Sequence, residues 1–125
     1  METKAPCIYI VDDDASVQKA LARLLAAHGL PVETYGSGEE FLAKYVMGSP
    51  GCIITDVRMP GLSGVELLKK LTALGSTMPV IVLTAYDDET ARRQAIEGGA
   101  AAWLLKPVKA EDLLNAIDSV TPWRT

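Results

Sequence analysis

Five short runs rich in apolar residues recur along the chain, each followed by a stretch in which apolar residues return every third or fourth position. The first run, Cys7-Ile8-Tyr9-Ile10-Val11, is continuous and ends in Asp12-Asp13-Asp14. Such a run, bounded by polar or turn residues, reads as a strand buried on both faces of a parallel sheet. Val17, Leu21, Leu24 and Leu25 then share one helix face, and Gly29 supplies the stop. Val32-Glu33-Thr34-Tyr35 alternates and predicts a shorter, more exposed strand. Ser37 and Glu40 form a capping-box pattern ahead of a second helical face at Phe41, Leu42, Tyr45 and Val46. After the loop Gly48-Ser49-Pro50-Gly51, the run Cys52-Ile53-Ile54-Thr55 climbs to Asp56, and Pro60-Gly61 turns the chain. Val65, Leu68, Leu71 and Leu74 mark a third helix, closed by Gly75. Pro79-Val80-Ile81-Val82-Leu83 is a fourth strand arriving at Thr84. Asp87, Asp88 and Glu89 put acid in the first turn of the next helix, where the helix dipole favours it, and Gly98-Gly99 ends it. Residues 101–105 form a fifth strand arriving at Lys106-Pro107, and 110–120 a last helix with Leu113, Leu114, Ile117 and Val120 inward.

Five strand-then-helix units predict an α/β fold, because right-handed crossovers lay each helix back on a parallel sheet. The economical arrangement is a doubly wound, five-stranded parallel sheet of order 2-1-3-4-5, flavodoxin-like in topology. Composition narrows this little. A length of 125 residues suits one domain with a real core, and 49% hydrophobic against 22% charged residues argues against disorder. We place that domain at residues 1–120, with 121–125 a tail or the start of a linker to an output domain. No apolar run approaches the roughly 18 residues that span a bilayer, and the first residues lack a signal-peptide layout. Cys7 and Cys52 sit inside apolar runs and read as small core residues of a reducing compartment. A cytoplasmic protein with no membrane contact is expected. The formal charge of −4, with no basic stripe, argues against direct nucleic acid binding.

The polar residues gather at the strand ends. Strand one ends in Asp12-Asp13, strand three in Asp56, strand four in Thr84 and strand five in Lys106. In a parallel sheet these ends share one edge, so three carboxylates, a hydroxyl and an ammonium converge there. Ionised carboxylates that close raise one another's pKa unless a cation intervenes, and a hard divalent ion such as Mg²⁺ suits an all-oxygen set. A metal, a hydroxyl and a lysine beside a carboxylate are devices for phosphoryl transfer, and a carboxylate can itself be the nucleophile. Taken alone, Asp56 before a Pro-Gly turn reads as a turn cap, Thr84 as a strand-end hydroxyl and Lys106 as a surface lysine. The convergence is what changes these readings. Asp14 remains a helix N-cap, and His28, the one histidine, a residue at a helix C-terminus.

Four pieces, Ile10-Val11-Asp12-Asp13-Asp14, Asp56-Val57-Arg58-Met59-Pro60-Gly61, Leu83-Thr84-Ala85 and Leu105-Lys106-Pro107, stand in this order at the strand ends. Together they resemble the receiver domain of two-component response regulators, over essentially the whole chain. The resemblance implies that Asp56 takes a phosphoryl group from a phosphohistidine of a sensor histidine kinase. It implies Mg²⁺ held by Asp13 and Asp56, by Asp12 largely through water, and by the backbone carbonyl of Arg58. Thr84 and Lys106 would each contact a phosphoryl oxygen, and a cis peptide would precede Pro107. The chain would be no conventional enzyme, catalysing only its own Mg²⁺-dependent phosphorylation and dephosphorylation. A switch is implied as well, in which Thr84 moves and an aromatic of strand five rotates inward. That aromatic is Trp103 here, where the family more often has Tyr or Phe, so switch and passive surface aromatic both stand. Side chains at Arg58 and Tyr86 would flank the path of attacking water and tune phosphoryl lifetime, or be plain loop surface. Output would pass through the fourth helix, fifth strand and fifth helix, near residues 88–97 and 101–120. That surface would pair two copies on phosphorylation or act on a covalently linked DNA-binding domain, since the wording around Asp56 resembles receivers of helix-turn-helix transcription factors.

Other readings differ at identifiable residues. A haloacid-dehalogenase-like phosphohydrolase would need Asp-x-Asp-x-Thr/Val on strand one, which Asp12-Asp13-Asp14-Ala15-Ser16 lacks, and would leave Asp56 idle. A flavodoxin-like flavin binder would need a phosphate-cradling loop where three aspartates would repel the phosphate. A stand-alone phosphorelay receiver and a degenerate receiver kept as a binding surface share the fold; the degenerate form is disfavoured by the full set of site residue types.

Overall fold

The computed structural model describes residues 6–85 and 87–120. The strands are Cys7–Val11 (β1), Val32–Tyr35 (β2), Gly51–Thr55 (β3), Val80–Thr84 (β4) and Ala102–Leu105 (β5). The helices are Ala15–Ala27 (α1), Gly38–Lys44 (α2), Gly64–Ala73 (α3), Glu89–Glu97 (α4) and Ala110–Val120 (α5). All strand pairs are parallel and the order is β2-β1-β3-β4-β5, as the βα rhythm predicts.

Alternation along the buried strands divides the core in two. Tyr9, Val11, Ile53, Val80 and Val82 face one side, under Phe41 of α2, Leu67, Leu68 and Leu71 of α3, and Ala91 and Ala95 of α4. Ile8, Ile10, Cys52, Ile54, Ile81 and Leu83 face the other, under Leu21 and Leu25 of α1 and Leu113 and Ile117 of α5. Each buried Leu or Ile contributes about 1.5–3 kcal/mol, so helices that insert several are held firmly. Helix α4 is different. Its buried residues are two alanines, and Ile96 is exposed.

Local chemistry sets the helix ends. Asp14 caps α1 by accepting from Ser16 and Val17 N–H, and Gly29 follows the helix at φ +77°. His28 is the C-cap residue of α1, its Nδ1 2.9 Å from the Leu24 carbonyl. Ser37 caps α2 through Glu40 N–H, while the complete two-way box forms at the start of α3 between Ser63 and Glu66. Two inward expectations are corrected. Val46 lies beyond α2, which ends when Tyr45 turns extended, and Leu74 is the C-cap of α3; both side chains are exposed. Asp87 precedes α4, and Asp88 is its N-cap, leaving Glu89 as the acid in the first turn. The tail at 121–125 lies outside the described residues. Among the described residues no helix is long and apolar enough to cross a membrane, and both cysteines are buried.

Gly51 opens β3 at φ +137°, and a Cβ there would stand 1.9 Å from the Cys7 carbonyl oxygen. Gly51→Ala is therefore expected to lower stability by more than about 2 kcal/mol through backbone strain and displacement of β1, read as a lower urea midpoint.

Candidate functional site

Sheet register brings the polar residues together. Val11 is level with Thr55, so Asp12 and Asp56 leave β1 and β3 side by side. Strand β4 runs further, with Thr84 level with Leu105, and Lys106 N–H donates to the Thr84 carbonyl at 2.7 Å. Carboxylate oxygens of Asp12, Asp13 and Asp56 all lie within 4.8 Å of one another. Lys106 Nζ donates to Asp12 Oδ2 at 3.1 Å and to Asp56 Oδ2 at 3.2 Å. The second oxygen of Asp12 accepts Asp14 N–H at 2.9 Å, and that of Asp56 accepts Val57 N–H at 2.7 Å. Thr84 is wholly buried, Asp12 nearly so, and Asp13 opens to solvent. The Lys106–Pro107 peptide is cis, as the resemblance implied.

Burial and charge compete within the group. Burial pushes the Asp12 carboxyl above the usual aspartate value, with Asp56 acting in the same sense, against the Asp14 N–H and Lys106 that pull it down. For Lys106, burial acts to lower the ammonium, but hydrogen bonds and charge from Asp12 and Asp56 outweigh it and leave it above the usual lysine value. With all three carboxylates ionised, three negative charges less one ammonium leave two, the charge of one divalent cation. Oxygen donors, that residual charge and the open side at Asp13 fit Mg²⁺.

Neighbouring backbone is packed to match. Gly64 starts α3 against the Asp56 carbonyl, where a Cβ would stand 2.1 Å from the oxygen. Gln18 of α1 donates through Nε2 to the carbonyls of Asp12 and Tyr35, tying the ends of β1 and β2. On the far side of the β3–α3 loop, Glu39 accepts Leu62 N–H at 3.2 Å. Arg58 is exposed and lies 3.6 Å from Asp88. Trp103 is half-buried on the α4 side, and its buried Nε1 has no hydrogen-bond partner among the described residues. Tyr86 falls outside the described residues.

Sequence reasoning missed Gln18, Glu39 and the partner of Arg58. Gln18 carried a signal, because it stands three residues before Leu21 and seven before Leu25, a polar residue on the buried stripe of α1. Glu39 read as an ordinary first-turn acid, with nothing local to indicate the loop it holds.

A five-stranded βα sheet with acids, a threonine and a lysine at its carboxyl edge defines a class, and the comparisons define the family. The chain belongs to the response regulator receiver domain family, whose sequence model matches residues 8–118. It is 44% identical to the transcriptional regulatory protein FixJ of Azorhizobium caulinodans over 110 residues, 88% of this chain and 52% of that protein. It is 39% identical to the response regulator protein TodT of Pseudomonas putida over 117 residues, 94% of this chain and 52% of that protein. The chain thus spans about half the length of these curated relatives. The structure of response regulator StyR matches with a TM-score of 0.88 at 38% identity, covering 93% of this chain and 59% of that one. The structure of FixJ-N matches with a TM-score of 0.85 at 35% identity, covering 100% and 98%. Membership sets aside the phosphohydrolase and flavin readings. Receiver domains generally use Mg²⁺ at an acidic phosphorylation site, and the family implies a histidine kinase partner.

Lys106→Met leaves Asp12 buried beside Asp56 without its cation. We expect a loss of about 2 kcal/mol at pH 7 in chemical denaturation. Because the folded pKa of Lys106 is raised, its contribution is full below the unfolded value and is lost as pH rises through the folded one. The stability gap between wild type and variant should therefore narrow above about pH 10.

Proposed function

We propose that this chain is a phosphoacceptor signalling domain in which Asp56 takes a phosphoryl group from a phosphohistidine of a sensor histidine kinase. The observation that carries this reading is the single hydrogen-bonded group formed by Asp12, Asp56 and Lys106 at the carboxyl edge of the sheet. In the transfer, an Asp56 oxygen attacks phosphorus, the P–N bond breaks, and an acyl phosphate forms as the imidazole leaves. The Lys106 ammonium, already between two carboxylates, neutralises charge on a phosphoryl oxygen. Thr84 ends β4 beside it and donates its hydroxyl to another.

Asp13 and Asp56 would hold Mg²⁺ directly, Asp12 largely through water, and the Arg58 carbonyl would complete the set contributed by the protein. When bound, the ion supplies positive charge against the carboxylates and the phosphoryl oxygens. Asp13, the exposed member, leaves room for water on that side.

The switch reading rests on Trp103. Its Nε1 is buried with no partner among the described residues, and a turn of the ring that gives it an acceptor would recover about 1–3 kcal/mol against the cost of moving the ring. Output then follows through the face of α4, β5 and α5, by pairing of two copies or through a linked DNA-binding domain reached by way of residues 121–125. Transcription is the output we favour, because similar proteins about twice this length are named as transcriptional regulators. Arg58 and Tyr86 tune the lifetime of the phosphoryl group.

Incubation with Mg²⁺ and a small phosphodonor such as acetyl phosphate should add one phosphoryl mass to the intact protein. The adduct should be absent in Asp56→Asn and in EDTA. An adduct that persists in that variant would overturn the choice of Asp56, and none on the wild type would favour a degenerate receiver.

A further inference from the structure

The Asp88 carboxylate has two tasks. Its Oδ1 accepts Ala91 N–H at 3.1 Å and caps α4, while its Oδ2 meets Arg58 Nη2 at 3.6 Å. Arg58 belongs to the loop that follows β3, two residues after Asp56. The pair therefore ties the phosphoacceptor loop to the first turn of α4. It closes one side of an open groove of about 510 Å³ lined by Val57, Arg58, Met59, Pro60, Ser63 and Asp88. The loop's opposite side is held by Glu39 on Leu62 N–H.

Two features make this tie exchangeable. Helix α4 is anchored inward by Ala91 and Ala95 alone among its buried residues, so a polar contact at its first turn weighs more than it would on α3. The ion pair is also long and solvated on both sides, the weak kind of contact. A phosphoryl group on Asp56 would bring close to two negative charges and three acceptor oxygens to a point two residues from Arg58. Arginine binds such a group more strongly than a solvated carboxylate.

Resting on the reading of Asp56 as phosphoacceptor, we infer that Asp88 is a positioning residue that holds the Arg58 guanidinium in the unphosphorylated protein. Phosphorylation exchanges its partner: Arg58 passes from Asp88 to the phosphoryl group, and the first turn of α4 is released. Capping of Ala91 N–H by Asp88 re-forms whenever the turn closes, so the helix keeps its length while its first turn opens more often. The charge that receives the signal and the helix that displays it are joined by one side chain.

The test combines Arg58→Gln and Asp88→Asn, singly and together, in the presence of Mg²⁺ and acetyl phosphate. Asparagine preserves the N-cap, and both positions are exposed enough to leave folding intact. In the unphosphorylated protein, Arg58→Gln should speed amide hydrogen exchange in residues 89–92 about two- to fivefold, the range for an exposed ion pair. Phosphorylation of the wild type should raise exchange there by the same factor, with no further rise in Arg58→Gln. Asp88→Asn should speed phosphorylation, and that gain should vanish in the double variant. A full phosphorylation-linked rise in Arg58→Gln, or an undiminished gain from Asp88→Asn in its background, overturns the partner exchange while leaving Asp56 as the acceptor. Failure of the wild type to form an adduct overturns the underlying reading and this inference together.

Discussion

The Lys106 ammonium lies 3.1 Å from an oxygen of Asp12 and 3.2 Å from one of Asp56, joining β1, β3 and β5 at one edge of the sheet. Without it, two carboxylates that leave neighbouring strands side by side would repel across a partly desolvated gap. Burial already raises the Asp12 carboxyl, so the group has little tolerance for further negative charge. The surrounding backbone reflects this constraint. Asp14 N–H and Val57 N–H take up the outer oxygens, and the Lys106 N–H holds the end of β4 in line. What remains is a residual charge of two on a cluster open at Asp13, which is why an added cation and an incoming phosphoryl group belong to the same chemistry.

That edge is kept in shape by side chains that surround it. Gln18 ties β1 to β2, Glu39 holds the β3–α3 loop from α2, and Arg58 holds it toward α4. Gly64 lets α3 begin against the Asp56 carbonyl, where any side chain would collide with backbone. The contrast among helices carries the functional consequence. Helices α1, α3 and α5 bury leucine or isoleucine against the sheet, whereas α4 buries two alanines and has the smallest apolar anchor of the four. Rigid attachment of the acids and loose attachment of one helix are what a signalling surface needs from one small core.

Much of this was legible along the chain because strand and helix periods leave different marks. The runs at Cys7–Val11 and Val80–Thr84 had no alternation to confuse them, and Asp14, Gly29 and Gly75 marked helix ends through chemistry that acts within a few residues. The failures were local too. Val46 and Leu74 continued an apolar period past the end of their helices, because periodicity does not register where backbone capping stops a helix. The capping box was expected at Ser37 and Glu40, yet the complete one sits at Ser63 and Glu66, a pattern of the same kind that apolar spacing drew attention away from.

By itself, the order of residues determined that Asp12, Asp56, Thr84 and Lys106 end parallel strands, since buried runs in βα units admit one direction and one edge. It also determined the family, because four separated motifs had to agree. Only the tertiary structure decided which charges touch: that Lys106 reaches both Asp12 and Asp56, and that Arg58 meets Asp88. These contacts join residues 30 to 94 positions apart in the chain. Their distances depend on sheet register and helix docking, which are properties of the packed core and leave no trace in local spacing.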